Sequence, residues 1–290
     1  MLRPFVFVGL MMCLAPGCRG GQSPGTIAFS RRTGDHWQIW TINPDGRGGR
    51  QITTSPSDKR YPAWTRDGKR LLYRDNNNRA FAFDLTTGRE YRILATLGMI
   101  GSLAQSPVGD KLLVVRFDAT LKDHSNLWLT SIQGRDQRML TRDAGLQYDP
   151  AWSRNGKRIA YISGQGYQRH ELYLMNADGT NKQRLTVNAA LELLPAFSPD
   201  GSKIAYVSDV TGDFNVWVIN ADGSNPRQLT GDPGIDTRPC WSPRGRAILF
   251  VSDRSGSLQL WTMNVDGGDL RQLTHGSPSM EPAWKWSTSK

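Results

Sequence analysis

One eight-residue pattern recurs along this chain, and its spacing restricts the fold more than any other feature. Pro62-Ala63-Trp64-Thr65-Arg66-Asp67-Gly68-Lys69 returns as Pro150 to Lys157, as Pro195 to Ser202 and as Pro239 to Arg246. A degenerate copy, Leu103 to Asp110, fills the longest gap, and Pro282-Ala283-Trp284 starts a last copy. The third positions, at 64, 105, 152, 197, 241 and 284, are separated by 41, 47, 45, 44 and 43 residues. That period is the length of a four-stranded propeller blade.

Inside each period the chain reads as strands. The Pro-Ala-Trp strand ends in a turn where Asp or Asn precedes Gly, the chemistry of a reversal that needs a positive φ. Short apolar runs follow, such as Leu71-Leu72-Tyr73, Ile159-Ala160-Tyr161 and Ile204 to Val207, as expected for a strand buried on both faces between neighbouring blades. A third strand carries an aromatic at one fixed place: Trp40, Phe81, Trp128, Tyr173, Trp217 and Trp261. A second Gly turn and a fourth strand of the Arg-Gln-Leu-Thr type, as at Arg227 to Thr230, complete the unit. The chain ends after the first strand of a sixth unit, while Thr26 to Ser30, Gln38 to Asn43 and Arg50 to Thr53 supply its other three. The expected fold is all-β, a six-bladed β-propeller over 25–286 closed by pairing of the N- and C-terminal strands, which removes open sheet edges. Eight of the ten tryptophans fall in repeat slots and are expected to pack between blades instead of forming a sugar-stacking platform.

Composition agrees: 38% apolar and 21% charged residues with 30 Gly exclude disorder, collagen and a polytopic membrane protein. Three Cys are too few for a disulfide framework. Arg3 and the apolar run Phe5 to Leu14 have signal-peptide form and length, so residues 1–17 read as an export signal. The run ends at Leu14-Ala15-Pro16-Gly17-Cys18, which resembles the lipobox of bacterial lipoproteins. Lipidation at Cys18, followed by a tether over 18–24, is the expectation, with ordinary signal cleavage as the alternative. Arg19 after the Cys points to outer-membrane attachment by the same resemblance.

The Pro-Ala-Trp-Ser-Pro-Asp-Gly anchors and the Asn-Ala-Asp-Gly turns at 176–179 and 220–223 resemble the repeats of the TolB-like six-bladed propellers, across nearly all of the mature chain. The resemblance implies a periplasmic envelope protein whose partner is a Pal-like peptidoglycan-associated lipoprotein or another envelope protein. It also implies a departure, because only a tether stands where TolB has an N-terminal α/β domain.

No catalytic constellation is legible. Gly21-Gln22-Ser23-Pro24-Gly25 has the G-x-S-x-G spelling but lies in the tether, without a strand before it or a helix after it. His170-Glu171 lacks a second His at helical spacing, and no Cys pair has metal spacing. Cys240 takes a small-residue slot that other repeats fill with Ala, so it reads as a buried thiol. The chain is therefore expected to be a non-catalytic binding or scaffold module. The alternative is a carbohydrate-active enzyme, either lyase-like or glycoside-hydrolase-like, working on the loop face, since oligogalacturonate lyases use a related propeller.

Chain direction separates two faces. Turns from first to second and from third to fourth strand are tight and share one face. Longer connections, such as Phe117 to Asn126, Gly164 to His170 and Gly231 to Arg238, lie on the other with all four histidines, His36, His124, His170 and His275. Loops on a rigid scaffold are where binding is expected. The residues just ahead of each anchor should ring the channel mouth there, and Arg60, Tyr61, Tyr148, Asp149, Glu192, Arg238 and Glu281 are the candidate binding residues. No cofactor is required. Asp149, Glu192 and Glu281 would either converge on a Ca²⁺ ion or pair with the arginines. The net charge of +10 is spread around the rim instead of forming a stripe with interleaved aromatics, which argues against nucleic acid. A monomer is expected.

Overall fold

The structure is a computed structural model that describes residues 25–94, 100–118, 124–165 and 169–286. Residues 1–24, where a signal segment, a lipidated Cys18 and a tether are expected, lie outside the described residues. Six four-stranded antiparallel sheets form among the described residues, and no helix occurs there. Their innermost strands are Lys59–Trp64, Ile100–Gln105, Leu146–Trp152, Glu192–Phe197, Asp236–Trp241 and Ser279–Trp284. The last of these pairs with Ile27–Thr33, followed by His36–Ile42 and Arg50–Gln51, so one sheet joins the two ends of the chain as expected.

Each repeated motif has a local physical reason. At Ser198-Pro199-Asp200-Gly201, the Ser198 hydroxyl donates to Asp200 Oδ1 at 2.6 Å and accepts from the Lys203 N–H at 2.9 Å. Gly201 stands at φ 71°, where a side chain would be strained. In the Arg-Gln-Leu-Thr strand, the Leu229 N–H donates to Val216 O at 2.8 Å and the Thr230 hydroxyl accepts from the Val216 N–H at 2.9 Å. Thr53, Thr141, Thr186 and Thr274 do the same in their blades, which extends each short fourth strand by one side-chain bond.

The core lies between blades. Ile162, Leu172 and Leu174 of one sheet pack against Phe197, Ile204 and Ile219 of the next, and the other interfaces repeat this plan. All eight repeat-slot tryptophans belong to these clusters, in agreement with the packing role read from their spacing. Three also bridge blades by hydrogen bonds: the indole N–H groups of Trp64, Trp152 and Trp241 donate to the carbonyls of Ala283, Ala104 and Ala196.

Candidate functional site

Every inner strand is interrupted by a bulge near its start, between Arg60 and Ala63, Ile100 and Leu103, Tyr148 and Ala151, Leu193 and Ala196, Thr237 and Cys240, and Met280 and Ala283. In five of the six blades the residue before the repeat proline takes a positive φ: Tyr61 at 60°, Asp149 at 47°, Leu194 at 53°, Arg238 at 56° and Glu281 at 59°. Side chains other than Gly rarely adopt this conformation, at a cost of order 1 kcal/mol or more each, and such strain clusters at functional sites. Here it sets one ring of side chains around the loop-face end of the central channel, in the wall of a cavity of about 750 Å³.

Three arginines surround Tyr61, and two of them, Arg74 and Arg238, line that wall. The guanidinium of Arg74 lies 4.3 Å from the Tyr61 ring centre, and those of Arg60 and Arg238 lie 5.2 Å from it. Glu281, 4% exposed, accepts from Arg60 Nη2 at 2.5 Å, from the Tyr61 N–H at 2.9 Å and from the Ser30 hydroxyl at 2.6 Å. Arg238 is 4.0 Å from the same carboxylate. Burial opposes the charge on Arg60, but Glu281 outweighs it and holds that pKa above the ordinary value. Arg74 is pushed down by burial, with Tyr61 and Glu281 acting against the shift. Asp149 is raised by burial, although Arg238, the Leu194 N–H and Arg74 each favour its charge. On the far side, the Tyr148 hydroxyl contacts His170 Nδ1. The cavity wall thus presents two cations, Arg74 and Arg238, against two carboxylates, Asp149 and Glu281, the first of which is biased toward its neutral form. Such a wall favours an acidic or hydrogen-bond-accepting group.

Of the residues expected at this mouth, Tyr61, Tyr148, Asp149, Arg238 and Glu281 line the cavity, while Arg60 lies outside its lining and is bonded to Glu281. Glu192 is a correction. It stands two residues ahead of the ring position, in register with Lys59, Gln147, Asp236 and Ser279, and all five are buried. Glu192 is 0% exposed, accepts from Asn188 Nδ2 at 2.8 Å and is pushed by burial to a pKa of about 7. Its blade instead contributes Leu194 to the cavity. The proline was the available signal, since the residue before it is the one turned inward. His170, placed by the sequence in a loop-face connection, is the second residue of the strand Arg169–Asn176, is 7% exposed and lines the cavity. Arg74, from the second strand Arg70–Asp75, was not anticipated.

The convergence needed for a Ca²⁺ site is not formed. Both oxygens of Glu281 are already engaged, Glu192 is buried behind the wall, and among the described residues no group of three or more His, Cys, Asp or Glu is placed to hold a metal ion. Cys240 is partly buried in its Ala slot, and burial raises its thiol pKa to about 11. No helix among the described residues is long and apolar enough to cross a membrane.

Fold and repeat chemistry together define a six-bladed β-propeller with a cationic channel mouth. Residues 189–289 match the family described as the TolB beta propeller domain. A stretch of 129 residues, 43% of this chain, is 30% identical to the Tol-Pal system protein TolB of Anaeromyxobacter dehalogenans and covers 29% of that protein. The matched stretch therefore spans less than a third of these curated relatives. The crystal structure of TolB from Acinetobacter baumannii superposes with a TM-score of 0.77 at 22% identity, over 90% of this chain and 66% of that one. An oligogalacturonate lyase in complex with manganese shares the fold more distantly, with a TM-score of 0.59 at 16% identity over 86% of this chain and 73% of that one. This chain is a six-bladed β-propeller that is similar to TolB, with a match to the TolB propeller family over its C-terminal third.

Proposed function

We propose that this propeller is a non-catalytic binding module of the bacterial cell envelope. On this reading it is exported to the periplasm, anchored to the outer membrane by a lipid on Cys18, and holds a partner protein at the loop-face end of its channel. The observation that carries the reading is the grouping of Arg60, Arg74 and Arg238 around Tyr61, with Tyr61 and Arg238 held at positive φ and Glu281 bonded to Arg60. A rigid, pre-formed cationic cavity suits an acidic side chain or loop offered by another protein. Similarity to Tol-Pal system proteins supports a Pal-like lipoprotein as that partner.

The test is capture from envelope extract by the purified protein and by a variant carrying Arg74→Gln and Arg238→Gln. A partner retained by the first and lost by the second is expected. Equal capture by both would remove the channel mouth from the binding surface. The rival reading, a carbohydrate-active enzyme on the same face, predicts product from an acidic polysaccharide such as polygalacturonate. Turnover that disappears with Tyr148→Phe or His170→Ala would replace the binding reading.

A further inference from the structure

The opposite end of the channel has a different chemistry, and the N-terminal strand starts there. Ile27 pairs with Trp284, and the Lys285 N–H donates to Thr26 O at 2.8 Å, so the chain enters the fold on the tight-turn face. A cavity of about 600 Å³ opens on that face, lined by Trp64, Trp152, Trp284 and Trp286. Trp286 is 36% exposed, and Val108 beside this mouth is 46% exposed. Cations cover the aromatic rings: Arg154 lies 4.8 Å from the Trp286 ring centre and Lys285 lies 5.0 Å from that of Trp64.

The inner turns around this mouth are basic. Arg66, Lys69, Arg154, Lys157, Arg244 and Arg246 are all exposed, and Lys285 is half-buried, against only Asp67, Asp110 and Asp200. Aspartates such as Asp178, Asp222 and Asp266 lie farther out, in the turns from third to fourth strand, so the excess positive charge forms a disc about the axis. Exposed tryptophan inside a ring of Arg and Lys is the chemistry of a surface that rests on anionic headgroups, with the indole at the interface and the cations paired to phosphate.

We propose that the tight-turn face of this propeller docks on an anionic lipid bilayer, with Trp286 and the inner basic turns as the contact. The inference rests on the reading of the protein as an envelope lipoprotein and adds the orientation: the cationic channel mouth on the loop face then points away from the membrane, toward its partner. Chain geometry is consistent, since the six residues Arg19 to Pro24 span at most about 20 Å. A lipid on Cys18 would hold this face within that distance of the bilayer, where two weak membrane signals reinforce each other.

The test is sedimentation with vesicles of phosphatidylethanolamine and phosphatidylglycerol, against vesicles of phosphatidylcholine alone, using protein that begins at Arg19 and carries no lipid. All described strands lie between Ile27 and Trp284, so this protein keeps the whole ring. Binding to the anionic vesicles only is expected, weakening at high salt. Arg66→Glu with Arg154→Glu and Arg244→Glu is expected to weaken it at least tenfold, and Trp286→Ala, outside every sheet, severalfold. Arg32→Glu with Arg142→Glu and Arg169→Glu, an equal charge change on the loop face, is expected to leave it within about twofold. No binding, or equal loss in both triple variants, overturns the proposal. Absent vesicle binding with intact partner capture overturns the membrane face alone, whereas vesicle binding without Arg74- and Arg238-dependent capture overturns the channel reading alone.

Discussion

The indole N–H of Trp64 donates to the carbonyl oxygen of Ala283 at 3.1 Å, joining two inner strands whose residues are 219 apart in the chain. Trp241 makes the same bond to Ala196 at 3.1 Å, so the contact is a repeated staple between neighbouring blades. Trp64→Phe keeps an aromatic ring in the inter-blade cluster but removes the donor. A loss of about 1–2 kcal/mol in unfolding free energy is expected. Urea denaturation checks it, and an unchanged midpoint would show that the bond adds nothing to ring stability.

Glu281 ties three elements at once, through Arg60, the Tyr61 N–H and the Ser30 hydroxyl. Its side chain is 2% exposed, whereas that of Arg60 is 29% exposed and can recover some hydration. Glu281→Ala leaves two buried donors without an acceptor and adds to the positive charge of the cavity. The expected cost is about 3 kcal/mol, the low end for breaking a buried pair. Arg60→Met with Glu281→Met should cost less than Glu281→Ala alone. If the double replacement is the more damaging, the pair is a net stabiliser and its desolvation has been overestimated.

Cys240 tests the burial of the repeat slot directly. With its thiol pKa raised to about 11, almost none is thiolate at pH 8, and the thiolate is the reactive form. Iodoacetamide is expected to leave the Cys240 peptide unlabelled in the folded protein and to label it fully in denaturant, as read by peptide mass spectrometry. Rapid labelling under native conditions would place this thiol at the surface.

The ring of blades was legible because its determinants are local and repeated. A Ser-Pro-Asp-Gly turn closes on its own hydroxyl and carboxylate, and an Arg-Gln-Leu-Thr strand ends in its own threonine cap. The mouth was legible only in part. Tyr61, Asp149, Arg238 and Glu281 each precede a proline, and that local mark identifies them. In the blade of Glu192 the charged residue stood two places too early, and its carboxylate drew attention away from Leu194. Arg74 and His170 come from second and third strands and reach the cavity only through packing across the sheet, which one-dimensional spacing does not encode.

Glu192 gives the fold a pH dependence with a definite sign. Burial is the main cause of its raised pKa of about 7, with Glu171 and Asp209 adding to it, and the Asn188 amide only partly offsets the shift. In the unfolded chain the group returns to its ordinary value of 4.5. Below that value both states hold the proton, and the contribution to stability is fully present. As pH rises from 4.5 to 7 the unfolded chain releases its proton while the folded protein keeps it, so stability falls, and above 7 the loss is complete. The span corresponds to about 3 kcal/mol. Glu192→Gln keeps the size of the side chain without its titration. Its stability relative to the parent protein is expected to rise by about that amount between pH 4.5 and 7.5, measured by urea denaturation across the range. A difference that does not vary with pH would mean that Glu192 titrates in the folded protein as it does in the unfolded chain.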